Sequence, residues 1–410
     1  MAKNEKNFLV GLDIGTTKVV ALVAEIDADG NIEIIGMGKH PAYGLKRGVV
    51  VNIESTVQSI QHAIEEAELM AGCQIHSAFT GIAGSHIRSL NSHGIVAIRN
   101  SEVEQSDIER VIDAAKAVAI PADQQILHVI PQEFIIDNQA GIKEPIGMNG
   151  VRLEAKVHMI TGAVSAAQNI IKCVERCGIE VADVIVEQVA SSHAVLNNDE
   201  KSLGVCLIDV GGGSTDIAVF HDGAIRFTAV IPIAGDQVTN DIAIALRTPT
   251  KSAENLKINY GRAQARMIAP NEMIEVEGVN GRPENKIAAR VLADVIEARC
   301  DELFKLVYAE LARNGFSDMC AAGVVLTGGG SMLLGLPELV ANIFQAPVRV
   351  GVPQGIAGNE EVLSDPKYAT SVGLLLHGKA QQSNDLYQPV MRSGVKNLWR
   401  KMQSWFQGNF

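Results

Sequence analysis

Aromatic rings, paired cysteines and long apolar runs are all scarce in this 410-residue chain. Aromatics make up 4%, and the only two tryptophans, Trp399 and Trp405, stand near the end. The core must therefore be aliphatic, and 47% apolar content is ample for two or more folded units. The six cysteines (73, 173, 177, 206, 300, 320) form no C-x-x-C pair. That removes the redox and zinc-ribbon spacings and leaves core thiols, with Cys173 and Cys177 on one face of an expected helix. The four histidines between 86 and 158 (His86, His93, His128, His158) have no metal-ligand spacing and read as structural or surface residues. No run of about 18 apolar residues occurs, so no membrane-spanning helix is expected. Asp13 interrupts the apolar stretch near the start, so no secretory signal is expected either. These features fit a reducing cytoplasm. There is no G-K-[ST], and no G-x-G-x-x-G with the acid a dinucleotide site needs, which excludes the Walker and Rossmann fingerprints.

Net charge is −12, but from Arg392 onward there are four basic residues and no acid, so the first 391 residues carry −16. A body that acidic repels nucleic acid and anionic lipid. No nucleic-acid partner is expected, and the tail is the exception on the side of lipid.

What is present is a repeat. "FLVGLDIGTTKVVALVAEID" (8–27) and "GVCLIDVGGGSTDIAVFHDG" (204–223) align Asp13 with Asp209 and Gly15 with Gly211. Each reads as strand, tight turn, strand. The glycines (Gly15; Gly211, Gly212, Gly213) let backbone N–H groups approach a ligand closely. An aspartate beside such a turn repels phosphate but suits a hydrated Mg²⁺ that bridges phosphates. Two such hairpins can clamp a nucleoside triphosphate between two domains, with Asp13 and Asp209 on the metal through water. Thr16, Thr17, Lys18, Ser214 and Thr215 add donors. One D-x-G hairpin alone is an ordinary turn; two, 196 residues apart, are harder to explain by chance. A third loop, Gly328, Gly329 and Gly330 in "VVLTGGGSMLLG", follows a strand and precedes a helix, where flat backbone can lie against an adenine ring.

This set resembles the actin, Hsp70 and sugar-kinase superfamily. The resemblance implies an α/β, actin-like fold of two ribonuclease-H-like halves around a nucleotide cleft, with ATP and Mg²⁺ as cofactors. It implies that Gly235 and Asp236 in "IPIAGDQVT" lie near the phosphates. It places Glu254 and Lys257 in "SAENLKINYG" by the ribose and base; read alone, they are an exposed i,i+3 pair. Glu187 in "VIVEQVASSHAVL" matches the residue that orients attacking water. Gln188 follows it where many relatives have proline, which points to a slow ATPase at most.

Two blocks interrupt this core. Residues 85–162 hold strand-like "SHGIVAIRN", "QQILHVIPQEFIID" and "VRLEAKVHM" and a helix in "SDIERVIDAAKAV", with Ser106 and Glu109 as its capping box. With no phosphate loop, this α+β insertion reads as an interaction module; the alternative is structural decoration. Residues 243–308 are rich in helix formers, with Ile287, Val291, Val295 and Leu303 on one stripe. Arg290 and Arg299 there either flank a groove or belong to a solvated face.

The tail, "SGVKNLWRKMQSWFQGNF", follows a polar linker over 378–394. Val395, Leu398, Trp399, Met402, Trp405 and Phe406 fall within an arc of roughly 120°, and Lys396, Arg400 and Lys401 fall outside it. This pattern predicts an amphipathic helix lying in an anionic lipid surface over 395–410; the alternative is a helix docked on the core.

Core loops, both insertions and tail, in this order, resemble the FtsA family of bacterial cell-division proteins along essentially the whole chain. That resemblance implies polymerisation with itself on the cytoplasmic face of the inner membrane, at the division septum. It implies tethering of the tubulin-like FtsZ by its acidic C-terminal peptide, near Arg290 and Arg299, and contact with later division proteins through the first insertion. The expected layout is 1–84 and 163–200 in the first half, 85–162 inserted, and 201–242 and 309–350 in the second half. The segment 243–308 is its helical subdomain, 351–377 returns to the first half, and linker and tail follow. A sugar or acid kinase and a pilus-assembly adaptor of the PilM type share the core and remain as alternatives.

Overall fold

The computed structural model describes residues 7–279 and 285–385. The tail helix with Val395, Lys396, Leu398, Trp399, Arg400, Lys401, Met402, Trp405 and Phe406 lies outside the described residues.

The chain opens with three near-continuous apolar runs that pair antiparallel: β1 (Asn7–Ile14), β2 (Lys18–Ile26) and β3 (Ile32–Pro41). A small hairpin of β4 (Leu45–Lys46) and β5 (Val49–Val50) leads to α1 (Ile53–Ala71). Asn52 caps α1 by accepting from the Ser55 amide, and left-handed Gly72 ends it. β6 (Ser77–Ile82) then lies parallel to β1.

The insertion follows: β7 (Arg88–Ala97), α2 (Gln105–Lys116), β8 (Gln124–Ile136), β9 (Gln139–Ile142) and β10 (Arg152–Ala163). Its sheet, ordered β7-β10-β8-β9, has its own core of Val111, Ala115, Phe134, Leu153, Val157 and Met159. The chain returns through α3 (Val164–Arg176), β11 (Glu180–Val186), α4 (Glu187–Val195) and α5 (Asn198–Leu203).

The second half repeats the first. β12 (Val205–Val210), β13 (Thr215–His221) and β14 (Ala224–Ile231) form the antiparallel part, followed by α6 (Gly235–Leu246) and α7 (Thr250–Tyr260). The hairpin β15 (Met273–Val276) and β16 (Asn285–Ala288) leads to α8 (Ala289–Arg313). Then come β17 (Val324–Thr327), α9 (Leu336–Phe344), β18 (Val348–Val350), α10 (Glu360–Ser364) and α11 (Ala369–Asp385). The two main sheets read β3-β2-β1-β6-β11 and β14-β13-β12-β17-β18, so the duplication extends from one hairpin to five strands. Between them cross α4 and α11. A Cβ on Gly373 would sit 1.9 Å from the Ala190 carbonyl oxygen, so only glycine permits that approach. Aliphatic side chains from both halves, including Leu22, Ile185, Leu207 and Leu374, share one core there.

The insertion also touches the second half. Ser89, Asn91, Gln132 and Lys143 donate to the carbonyls of Thr228 (2.8 Å), Arg226 (3.0 Å), Ile225 (2.8 Å) and Asp222 (2.9 Å) along the β14 edge. His158 bridges Asn91 Oδ1 and Thr228 Oγ1, and burial pulls it down to about 4, so it is neutral at neutral pH.

The structure corrects several expectations. α2 begins at Gln105, not after a Ser106 cap with Glu109. Asp107, nearly fully buried, reaches back to the Glu104 amide at 3.2 Å and pairs with Arg110. The polar stretch from Gly378 is not linker up to residue 385. It continues α11, because Gly378 packs on Phe79 and Gln381 Nε2 donates to Asp183 at 2.6 Å. On α8 the buried face is Ala289, Leu292, Ala293, Ile296, Cys300, Leu303, Phe304, Val307 and Leu311. Of the expected stripe, Leu303 is buried and Ile287 and Val295 pack against the same core, Ile287 from β16 rather than from the helix, while Val291 is 45% exposed and falls off it. Boundaries at 242 and 308 each fall inside a helix, α6 and α8.

Candidate functional site

Both hairpin turns are closed by the same bond. The Gly15 amide donates to the Lys18 carbonyl at 3.0 Å, and the Gly211 amide to the Ser214 carbonyl at 3.0 Å. The turns meet tip to tip. A Cβ on Gly212 would lie 2.2 Å from Thr17 Cγ2, and one on Gly213 would lie 2.4 Å from Thr16 Oγ1. Bare backbone from one turn thus faces hydroxyls of the other.

Asp13 and Asp209 are the last residues but one of β1 and β12, and both are buried. Asp13 Oδ2 accepts from Ser371 Oγ at 3.2 Å and from Lys18 Nζ at 3.5 Å. Lys18 Nζ also donates to the Lys367 carbonyl at 2.7 Å. Asp209 Oδ2 accepts from Thr370 Oγ1 at 3.2 Å. Thr370 and Ser371, in the first turn of α11, are site residues that sequence reasoning missed; nothing in their local pattern marks them.

A third aspartate was also missed. Asp216 pairs with Asp209 across β12 and β13, so both carboxyls stand on one face of the sheet. Its Oδ2 accepts from Ser214 Oγ at 2.9 Å, while its buried Oδ1 has no hydrogen-bond partner. The signal was available: the equivalent partner of Asp13 is Val20, so the second copy carries an extra acid at a buried position. Burial, then Asp209, pushes Asp216 up to about 7. Burial, reinforced by Asp13, lifts Asp209 to about 6. Glu187 begins α4, and burial, then Asp13, Asp216 and Asp209, raises its carboxyl well above the usual range. Among the described residues no three His, Cys, Asp or Glu side chains are grouped to grip an ion directly.

The second turn is backed by α6. The Gly235 and Asp236 amides donate to the carbonyls of Gly211 (3.1 Å) and Gly212 (2.8 Å). Burial raises Asp236 above its ordinary value, against the pull of Lys257. Glu254 and Lys257 pair at 2.8 Å, but they are more than an exposed i,i+3 pair. Lys257 Nζ donates to the Gly235 carbonyl at 3.1 Å and to Thr239 Oγ1 at 2.8 Å, and Glu254 accepts a hydrogen bond from the Thr239 hydroxyl. The third loop closes the same end. Gly328 (φ +78°) abuts Asp209, where a Cβ would lie 2.2 Å from Oδ1, and Gly330 abuts Val210. At Gly329 a Cβ would meet only the Lys367 Cβ, at 3.8 Å, so the space beside it is open. Glycine amides, hydroxyls, Lys18 and a carboxylate cluster make a donor set that could hold a phosphorylated ligand and a hydrated cation.

Arg290 and Arg299 do not flank one groove. Nine residues of helix turn them about half a revolution apart. Arg299 lines a shallow groove between α6 and α8 with Ile244, Ala245 and Val295, and is already paired to Asp241 at 2.5 Å and to Glu302. Arg290 is exposed on the other flank of α8. Among the described residues no helix is long and apolar enough to cross a membrane.

Comparison with known proteins agrees with this architecture. The family profile described as cell division protein FtsA matches residues 206–373, and that described as the SHS2 domain inserted in FTSA matches 84–161. The chain is 60% identical to a cell division protein FtsA of Pseudomonas aeruginosa over 98% of both chains. It is 44% identical to one of Escherichia coli (strain K12) over 99% of both. Among solved structures, a PilM–PilN type IV pilus biogenesis complex superposes with a TM-score of 0.66 at 16% identity, covering 90% of this chain and 98% of that one. MreB5 of Spiroplasma citri bound to ADP superposes with 0.58 at 17%, covering 93% and 99%. At those identities the likeness is one of fold.

Proposed function

The chain belongs to the FtsA family of cell division proteins, and from that premise we propose that it binds Mg-ATP in its cleft and polymerises on the cytoplasmic face of the inner membrane at the septum. There it anchors FtsZ and brings in later division proteins. The observation that carries the nucleotide part is the tip-to-tip meeting of the two glycine turns, Gly212 on Thr17 and Gly213 on Thr16, above paired buried aspartates.

The residues present fit Mg-ATP on two counts. Asp216 Oδ1 is a buried polar atom without a partner, and the space beside Gly329 is open. Gly15, Thr16, Thr17 and Lys18 would hold phosphates from one side, and Gly211, Gly212, Gly213 and Ser214 from the other. Asp13 and Asp209 would hold Mg²⁺ through water. Gly235, Asp236, Glu254, Lys257 and Gly328 to Gly330 would hold the ribose and base. Glu187 would orient a water. The bound group supplies a hydrolysable terminal phosphate, and turnover is slow at most.

One tail helix binds lipid only weakly and reversibly. A filament presents many tails at high effective concentration, so assembly and anchoring reinforce each other. The FtsZ peptide, being acidic, would meet the Arg299 side of α8, and later partners would meet the insertion. Electron microscopy of the purified protein with ATP on anionic lipid monolayers tests this reading. Filaments should form on lipid and be lost when residues 395–410 are removed. Equal lipid coverage without them would refute the anchor.

A further inference from the structure

This inference deepens the nucleotide reading and rests on it. Between β4 and β5 the chain turns on two residues, Arg47 and Gly48, with φ of +51° and +77°. Glycine is at home there; arginine is not, and is held by what surrounds it. The Gly48 amide donates to Thr16 Oγ1 at 2.9 Å, on the first phosphate turn. Gly48 also packs on the chain leading into the insertion, where a Cβ would lie 2.9 Å from the Ala83 carbonyl carbon. From the opposite half, a Cβ on Gly213 would lie 2.8 Å from the Arg47 Cα. Arg47 therefore stands where the tips of the two turns meet.

The cleft has a direction. Gly235 and Lys257 back the Gly211–Gly212 side of the second turn, and Gly328 abuts Asp209. With ribose and base at that end, the end of a phosphate chain points toward Gly213 and Arg47. Charge gives an independent argument. Lys18, placed above with the phosphates, shares its charge with Asp13 and also donates to the Lys367 carbonyl, while Lys257 is paired with Glu254 and Lys367 with Asp365. Asp13, Asp209, Asp216 and Glu187 oppose an anion. Arg47 is exposed, and among the described residues no carboxylate is paired with it. A triphosphate with one divalent ion remains anionic and needs a cation of this kind, and a guanidinium fork matches phosphate oxygens.

We propose that Arg47 is a ligand of the terminal phosphate of a bound nucleoside triphosphate, so that this hairpin distinguishes triphosphate from diphosphate. The test is calorimetric titration of the full chain with Mg-ATP and with Mg-ADP. Arg47→Asn removes the charge while tolerating the left-handed backbone, and Arg47→Lys keeps a cation. Lys46→Ala, next in the hairpin, controls for general charge. ATP affinity should fall about tenfold or more in Arg47→Asn, with ADP affinity within about twofold of the parent. Arg47→Lys should recover part of the loss, and Lys46→Ala should match the parent. Unchanged ATP affinity in Arg47→Asn, or equal losses for ATP and ADP, would overturn the proposal. A parent protein that binds neither nucleotide would bring down the underlying reading as well, and shows itself before any variant is made.

Discussion

Asp13 and Asp209 lie 196 residues apart in sequence, yet they accept hydrogen bonds from adjacent hydroxyls, Ser371 and Thr370, each at 3.2 Å. One helix turn thus sets the spacing of the two aspartates. α11 also packs on β1, where a Cβ on Gly11 would lie 2.7 Å from the Ser371 carbonyl oxygen. Neither half can move against the other without disturbing α11 or breaking one of these bonds.

The turns themselves give the first prediction. Gly212→Ala would press a Cβ into Thr17, whose methyl, hydroxyl and Cβ are all within 3.2 Å of it. Mg-ATP affinity should fall at least about tenfold. Thr17→Ala in the same protein should restore part of it, since the three nearest atoms all belong to that side chain, and a double-mutant cycle will read the coupling. Gly213→Ala meets Arg47 Cα at 2.8 Å besides Thr16, so Thr16→Ala should rescue it poorly. Independent, additive effects of Gly212→Ala and Thr17→Ala would show that the turns do not meet.

The raised carboxyls make stability depend on pH in a stated direction. Asp209 and Asp216 hold protons in the folded state up to about 6 and about 7, whereas an unfolded aspartate releases its proton near 4. Their contribution is fully present below about pH 4 and is lost as pH rises through the folded values. Each such proton changes stability by about 1.4 kcal/mol per pH unit within that window. Asp216→Asn should therefore flatten the fall in melting temperature between pH 5 and 8. Mg-ATP binding near pH 6.5 should release protons, detected as a buffer-dependent binding enthalpy. No difference in slope between parent and variant would remove Asp216 from the cluster.

Much of this was legible in the sequence where chemistry repeats. The aspartate–glycine turns, the third glycine loop and the strands of the insertion announce themselves by spacing. What stayed hidden depends on contacts between distant segments. Thr370 and Ser371 are ordinary helix-start residues until α11 is laid across β1. Arg47 is a hairpin cation until Gly213 arrives from the other half. The polar stretch after Gly378 reads as linker because its partners, Phe79 and Asp183, are some 200 or more residues upstream. The stripe on α8 is legible only in part: Val295 and Leu303 face the core, but Val291 does not, because Ile287, from which the spacing is counted, belongs to a strand.

The ion pairs of Arg299 set up a competition. Asp241 and Glu302 occupy its guanidinium, and Asp241 holds it above its ordinary pKa. The acidic FtsZ peptide proposed to dock in the α6–α8 groove would have to displace them. Asp241→Asn should tighten binding of a labelled peptide a few-fold by fluorescence anisotropy, whereas Arg299→Ala should weaken it by about tenfold. Arg290→Ala, on the opposite flank of α8, should do less. If Arg290→Ala does the greater damage, the peptide lies on the opposite flank of α8.

The seat of the insertion on β14 distinguishes buried from exposed donors. Gln132 is buried, and its Nε2 bond to the Ile225 carbonyl is closed from water. Gln132→Leu keeps the bulk but strands that carbonyl, at a cost of about 1–3 kcal/mol. Lys143 reaches the Asp222 carbonyl in an exposed position, where water can replace it. Lys143→Met should therefore change stability by less than about 1 kcal/mol. Because Gln132 belongs to the insertion and Ile225 to the second half, the loss should appear as separation of two transitions, not only as a lower midpoint. Chemical denaturation followed by a probe in each part measures both quantities. A single unchanged transition in Gln132→Leu would mean that the insertion is fixed by the first half alone, and that its bonds to β14 do not couple it to the cleft.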